Sequence, residues 1–469
     1  MSQKTPILIL IVLSTFVFVA ACAAPPGITM PGFSTSTPAL TAPTEIPAPP
    51  TAVPATATTE VMETASVESD PQFTPTPTPV PDPYADVYTF EGWARVTFPM
   101  DLGTNDFREL TDVAYIDEQF FAVGFGSLEL ELDASIWRSI DGLVWKSIMT
   151  ESDAVFGGEG EQQMRAITDG ARGIVVVGEE TRGDSIIPVV WWSNEGETWR
   201  RVDLPTPADD LYQSLVDVTQ FGNRYYAVGV EENEAGEIRG MLWTSINGRS
   251  WTRFQEPEGL FGDTEQYVAF SSILAHEEGL IIVGNVEPAT GVDVDGAVWI
   301  STDGRAWERV SPARAGLEDV SKTRYQFLNR VQTDGETFVI IGGETDIEEG
   351  AEPFNNIVVW DSSDGERWTR RFDHKPNFAQ QWMYDMAFYG DEGMAVGQEQ
   401  RLDDIRAAVW SLDDGVWEQL THSEIVFGGA GIQRINAVSP FSDGLIGVGI
   451  TEAQGRRNAA VWLYLPARK

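Results

Sequence analysis

Five of the seven segments that open a repeated apolar strand carry glutamine at the same place: Gln162, Gln213, Gln326, Gln381 and Gln433. Arg108 and Val268 fill the other two positions, with Gln266 two residues from the latter. A carboxamide both donates and accepts hydrogen bonds, so amides gathered at one mouth could hold the hydroxyls of a sugar. The alternative is that each Gln ties its loop to the backbone of a neighbour. Trp382, beside Gln381, adds a stacking face, and Trp191 is a second candidate. Hydrolytic chemistry is harder to find. Arg108, Arg165, Arg330 and Arg434 lie near strand starts at unequal offsets, and no repeat geometry makes them converge. Tyr384 and Asp385 are adjacent, which points them to opposite faces of a strand. His276, His374 and His422 fall in unrelated loops and form no ligand pattern. Val292-Asp-Val-Asp-Gly296 has two Asp, short of the roughly six to eight oxygens calcium takes, so no cofactor or metal is expected.

These positions recur because the chain repeats. A Val-Gly or Ile-Gly pair returns at Gly124, Gly178, Gly229, Gly284, Gly342, Gly397 and Gly449, followed by Trp137, Trp192, Trp243, Trp299, Trp360, Trp410 and Trp462. A period of about 50 to 60 residues marks a repeat architecture. Within the first copy, Leu110–Tyr115, Phe120–Gly124, Ala134–Ser139 and Val144–Ile148 read as four short strands, rich in Val, Ile and aromatics and bounded by Gly, Asp and Asn. Four strands per unit, repeated, predict an all-β seven-bladed propeller with four antiparallel strands per blade. The last copy stops after Trp462-Leu-Tyr-Leu, and Trp93 lies one period before Trp145. Trp93–Phe98 is therefore expected to complete the last blade and close the ring, removing exposed sheet edges.

The turn between third and fourth strands is the sharpest motif: Ser139-Ile-Asp141-Gly-Leu-Val-Trp145, Ser193-Asn-Glu-Gly-Glu-Thr-Trp199, Ser245-Ile-Asn247-Gly-Arg-Ser-Trp251, Ser301-Thr-Asp303-Gly-Arg-Ala-Trp307, Ser362-Ser-Asp364-Gly-Glu-Arg-Trp368 and Ser411-Leu-Asp413-Asp-Gly-Val-Trp417. Asp-Gly and Asn-Gly predict a hairpin with positive φ at both central residues. The Ser hydroxyl and Asp side chain can bond turn amides, and the Trp fills space against a neighbouring blade. These copies resemble the Asp-box, or bacterial neuraminidase, repeats of sialidases and of many extracellular binding proteins, in which Ser/Thr-x-Asp-x-Gly-x-x-Trp is usual. Here the Gly directly follows the Asp in most copies. The resemblance spans about residues 90–469 and implies a propeller whose boxes lie away from the functional face, as scaffold. It does not extend to a sialidase's catalytic set: the Arg-Ile-Pro of that family is absent, with Arg95-Val-Thr-Phe-Pro99 the nearest segment. Three entering loops also repeat, Val155-Phe-Gly-Gly-Glu-Gly160, Leu260-Phe-Gly262 and Val426-Phe-Gly-Gly-Ala-Gly431, each reading as glycine-only backbone with a packed Phe anchor.

Residues 1–21 read as an export signal, with an apolar run Ile7–Val19 before small residues. Val19-Ala20-Ala21-Cys22 resembles a bacterial lipobox, which implies lipidation of Cys22, the only cysteine, and a membrane anchor outside the cytoplasm. Residues 22–85 hold that Cys and a stalk with 15 of the 27 Pro, a composition that stays extended because it cannot bury a core. Residues 86–469 are expected to form one propeller domain. Of the 72 acidic and 31 basic residues, six acids lie in 23–85 and one Lys in the signal, leaving 66 against 30 and a net of −36 in the propeller. That sign disfavours nucleic acid. Acids concentrate after the second strands, at Glu231, Glu232, Glu234 and Glu237 and at Glu344, Asp346, Glu348 and Glu349, serving solubility or a basic partner. The leading expectation is a monomeric surface lipoprotein whose propeller binds a glycan or a protein. An assembly factor for an envelope complex and a sialidase-like glycoside hydrolase are the alternatives.

Overall fold

The computed structural model describes residues 82–96, 107–128, 131–148, 154–205, 210–291, 293–317, 324–346, 354–373, 380–401, 404–413, 415–453 and 456–466. The signal, Cys22 and nearly all of the stalk lie outside them. The four stalk residues that are described, Asp82–Ala85, form a turn with Ala85 N donating to Asp82 O at 3.2 Å.

From Asp86 onward the described chain is antiparallel β-sheet, with one short helix at Pro312–Ala315. Strands follow one another as four-strand meanders. Five sheets have four strands, and one of eight consists of two meanders joined by a parallel pairing of Tyr212 with Ile186. The first strands are Phe107–Ile116, Gln162–Thr168, Asp210–Phe221, Gln266–His276, Arg324–Thr333, Gln380–Tyr389 and Gln433–Phe441. Trp93–Val96 pairs antiparallel with Arg456–Tyr464, the last strand, with Trp93 opposite Tyr464 and Val96 opposite Val461. The N-terminal strand thus supplies the fourth strand of the final sheet, as its Trp predicts.

Second strands run longer than the apolar runs alone indicate, for example Gln119–Leu128, while fourth strands such as Lys146–Ser147 are short. The inner ladders extend because polar residues beyond the apolar run find partners there. Apolar clusters are shared between consecutive meanders: Ile341 and Val359 of one pack with Met383, Met386 and Trp410 of the next. Trp93, Trp191, Trp243, Trp299, Trp360, Trp410 and Trp462 are all fully buried, each hiding roughly 150–250 Å².

One position differs from the sequence reading. Trp191, not Trp192, holds the repeat site, because it pairs with Val176 two residues before Gly178, as Trp299 pairs with Ile282 two residues before Gly284. Trp192 is the residue outside the pattern. It is half-buried, donates to Arg172 O at 2.9 Å and lies under the Arg249 guanidinium at 4.9 Å.

The Ser/Asp turns use side chains more than backbone geometry. Ser139 Oγ accepts from Gly142 N at 2.9 Å, and one Asp141 oxygen accepts from Leu143 N and Val144 N, both at 2.9 Å. Asn247, Asp303 and Asp364 do the same. Only the Gly has positive φ, as at Gly142 (70°), so both-residue positive φ is not found in these turns. The carboxylate satisfies two amides of a longer loop, and the two-residue hairpin becomes unnecessary. That hairpin geometry appears instead at Asp117 and Glu118, with φ of 47° and 59°. The sixth copy also departs: pairing continues to Asp413 opposite Val416, and Ser411 pairs in the strand with Glu418. Its Gly stands one residue later, at Gly415, and among the described residues strand pairing carries on through this copy of the motif, which the other copies do not show.

Candidate functional site

Each first strand is interrupted at the same register. Pairing skips one residue between Leu110 and Asp112, Met164 and Ala166, Leu215 and Asp217, Phe270 and Ser272, Leu328 and Arg330, Met383 and Asp385, and Ile435 and Ala437. The residue before each bulge pairs with a repeat glycine, Leu110 with Gly124 and Met383 with Gly397. A Cβ on Gly124 would overlap Glu109 O, and one on Gly397 would overlap Trp382 O. The Val-Gly signature is therefore the footprint of the bulge: the strand bends toward its neighbour, and only glycine leaves room.

A bulge frees backbone groups from the ladder, and the adjoining meander uses them. Thr111 Oγ1 donates to Met164 O at 2.8 Å, Asn329 Nδ2 to Met383 O at 2.7 Å and Asn436 Nδ2 to Leu110 O at 2.7 Å. In the opposite sense, Asp112 accepts from Ile167 N, Asp217 from Ile273 N and Asp385 from Val438 N, each at 2.8 Å. The link from Asn436 to Leu110 joins the last first strand to the earliest one.

Where the first strands converge, these same aspartates meet a charge. Arg330 Nη1 lies 3.0 Å from Asp217 and Nε 2.8 Å from Asp385, bridging two other meanders. Burial works against the guanidinium, but Asp217, Asp385 and Asp112 outweigh it and hold its pKa above the ordinary value. Burial pushes the Asp112 carboxyl up to about 7; Arg330 opposes the shift and Asp385 adds to it. Asp385 is raised too, again chiefly by burial. Three carboxylates around one guanidinium leave excess negative charge out of water, and partial protonation relieves it.

Further ion pairs lie along the first strands, with Glu109 on the strand of Asp112 and Tyr384 on that of Asp385. Arg434 pairs with Glu109, and Asn436 Nδ2 donates to Glu109 at 3.1 Å. The Arg434 guanidinium also lies 5.9 Å from the ring centre of Tyr384. Arg165 pairs with Glu179, both buried, next to Tyr212. Burial pushes the Tyr384 hydroxyl up to about 12, with Glu109 adding and Arg434 opposing. Burial likewise raises Tyr212. The structure thus brings Arg165, Arg330 and Arg434 to the converging strands although their sequence offsets are unequal. The bulge accounts for this by rotating Arg165 and Arg330 relative to the simple two-residue alternation. Tyr384 occupies a bulge itself, which is why alternation misplaces it relative to Asp385. A signal was present in the glycines, which mark every bulge.

The glutamines have a different place. Gln162, Gln213, Gln326, Gln381 and Gln433 are all buried. Four of them donate to the Glu directly opposite on the second strand: Gln162 to Glu180 at 3.1 Å, and Gln213 to Glu231, Gln326 to Glu344 and Gln381 to Glu399 at 3.2 Å. Arg201, Arg253 and Arg370 of the fourth strands bind the first three of these carboxylates, and Gln419 binds Glu399. Gln433 Nε2 donates to Ala430 O at 3.1 Å, and Gln266 accepts from Arg309. Four of the amides therefore tie first strand to second within a sheet, the fifth holds its own entering loop, and all five side chains are buried. Several acids of the second-strand ends, Glu231 and Glu344 among them, are members of this network. Arg108 lies over Trp137 at 5.3 Å, and Trp382 is half-buried opposite Gln398. Among the described residues no group of three or more His, Cys, Asp or Glu is placed to hold a metal.

No family model matches the chain, and no curated relative does. Solved structures match by fold. An ulvan lyase, described as a polysaccharide lyase bound to -[GlcA(1-4)Rha3S]-, aligns with a TM-score of 0.50 at 12% identity over 79% of this chain and 96% of its own. Trypanosoma rangeli sialidase aligns at 0.42 and 14% over 67% of this chain, which spans 57% of that enzyme. Penicillium chrysogenum alpha-L-arabinanase complexed with arabinobiose aligns at 0.45 and 11%, over 80% and 98%. At these identities the likeness concerns the fold alone, and the ulvan lyase alignment together with the four-strand sheets supports a propeller.

Proposed function

We propose that the chain is a seven-bladed, glycan-binding propeller displayed outside the cytoplasm, anchored through lipidated Cys22 and lifted on the 22–85 stalk. Its seven meanders are the blades, and the converging first strands surround the ring axis. The observation that carries the reading is the gathering there of Arg165, Arg330, Arg434, Glu109 and Tyr384, contributed by strands far apart in sequence. Guanidinium donors beside carboxylate acceptors suit vicinal hydroxyls, and propeller ligands sit where loops and inner strands open on the axis. A fold shared with a polysaccharide lyase makes a glycan the first ligand to test.

The test is a glycan array probed with the full chain and with Arg434→Gln. Binding that falls at least tenfold in the variant supports the axial site; a silent array together with a co-purifying envelope protein favours the assembly role. The hydrolase reading draws on the same three guanidiniums and on Tyr384. Against it stands the raised Tyr384 hydroxyl, since a nucleophile needs its proton made easier to remove. Turnover of a fluorogenic sialoside that Tyr384→Phe abolishes would establish it.

A further inference from the structure

A cavity of about 220 Å³ opens beside the outer part of one blade, away from the axial arginines. Its floor is apolar, made by Ala407, Val409, Leu420 and Phe427. Its rim carries Arg401, Arg406, Thr421 and His422, with Glu399 at its back. The volume equals about seven liquid waters, room for a single ring and no longer chain.

The walls are fixed before any ligand arrives. The loop leading to Phe427 is held by Phe427 N donating to Ser423 O at 2.7 Å, by Ala407 N donating to Phe427 O at 3.1 Å and by Trp462 Nε1 donating to Val426 O at 2.7 Å. Gly428 lets it turn close, because a Cβ there would press on Glu424 Oε2 and His422 Nε2. This is one of the three repeated Phe-Gly loops, and their shared backbone role accounts for the motif. Preformed walls spare a ligand the ordering penalty that weakens binding to mobile loops.

The charges on the rim are already answered. Arg401 pairs with Glu399, which also accepts from Gln381 and Gln419. Arg406 pairs with Asp404 and lies 3.8 Å from Glu424, and His422 Nε2 is 3.2 Å from the same Glu424 oxygen. Two guanidiniums face three carboxylates, so an anion meets no surplus of positive charge in a domain that is already strongly acidic. Among the described residues, each carboxylate beside the cavity already has a cationic or amide partner, so a cation finds none to itself. Each guanidinium nevertheless has five N–H donors, more than its carboxylate partners occupy, and the Thr421 hydroxyl and the Gln419 amide oxygen, both lining the cavity, offer acceptors. Alternating donors and acceptors over an apolar floor match hydroxyl groups on a ring with an apolar face.

We propose that this cavity binds one neutral sugar residue, as a second site separate from the axial one. The ligand class rests on the glycan reading above; the location does not.

Titrating the full chain with galactose, glucose, mannose and N-acetylglucosamine, followed by calorimetry and saturation-transfer NMR, should give a Kd on the order of 1 mM for at least one. Arg406→Ala and the mouth-filling Thr421→Trp should each weaken it tenfold or more, with the melting transition checking that both remain folded. If one variant fails to fold, the other decides. Sugar binding that neither folded variant changes overturns the location and leaves the glycan reading standing. No monosaccharide binding alongside a positive glycan array overturns this site alone, and silence in both experiments removes both readings. Galacturonate or glucosamine binding tenfold tighter than the corresponding neutral sugars overturns the argument from balanced charge.

Discussion

At the turns between third and fourth strands, the amides of Leu143 and Val144 are satisfied by Asp141 of the same turn. At the bulges of the first strands, the amide of Ile167 is satisfied by Asp112 of the preceding meander. Both regions solve the problem of backbone groups left out of a ladder. The turn solves it locally, with nearly the same residues each time. The bulge solves it between meanders with a different residue set at each junction: Thr111 and Asp112, Asp217, Asn329, Asp385, Asn436. A local solution repeats as a sequence motif and carries no information about the ligand. A shared solution can vary, because each junction needs only some donor or acceptor, and the variation is what lets Arg330 meet Asp217 and Asp385.

The comparison predicts unequal sensitivity. Gly397→Ala should be the most damaging change, more than about 4 kcal/mol or outright failure to fold, since the methyl would overlap the Trp382 backbone. Gly183→Ala, where φ is 58° and nothing crowds the site, should cost about 1 kcal/mol in denaturant melts. Equal losses would break the account of the bulge.

Arg330→Met should cost roughly 3–5 kcal/mol at pH 8, because Asp217 and Asp385 lose their counter-charge. The loss should shrink at pH 5.5, where the cluster holds more protons. The native protein carries the same dependence. Asp112 has a folded pKa near 7 against an unfolded value near 3.8, so its favourable contribution is complete below about 4 and is lost as pH rises through about 7. From pH 5.5 to 8 this removes about 2 kcal/mol. Asp112→Asn should flatten that slope while lowering stability overall, since one oxygen that accepts an amide is gone. Carboxylates held low, such as Asp141 and Glu399, act in the opposite direction and lose their contribution as pH falls through their lowered values. A melting temperature that rises steadily from pH 5.5 to 8 would count against the axial cluster.

The smallest effect separates one turn from the others. Ser139→Ala should lose about 1 kcal/mol, a hydrogen bond to a turn amide. Ser411→Ala should change stability by less than about 0.5 kcal/mol, as its copy closes by strand pairing through Asp413 and Val416. Matching losses would mean that the late glycine does not alter the turn.

Much of the fold was legible because it rests on local rules. Short apolar strands, Ser/Asp turns and the Trp near residue 93 that completes the final sheet follow from neighbours in sequence or from one fixed period. The candidate site was legible only in part. The glutamines stood in register, and register correctly placed them at equivalent positions, but their partners were Glu180, Glu231, Glu344 and Glu399, of which Glu231 and Glu344 had been counted as an acidic surface. Trp191 and Trp192 are adjacent, so only the pairing with Val176 could say which one faces the core.

The sequence by itself determined an all-β repeat with glycine at fixed places, since turn chemistry and strand periodicity act within a few residues. Tertiary structure decided what the glycines are for and which charges meet. A bulge shifts the alternation of side chains after it, and whether Arg330 finds Asp217 and Asp385 depends on how separate sheets are set against one another. No spacing along the chain encodes that distance.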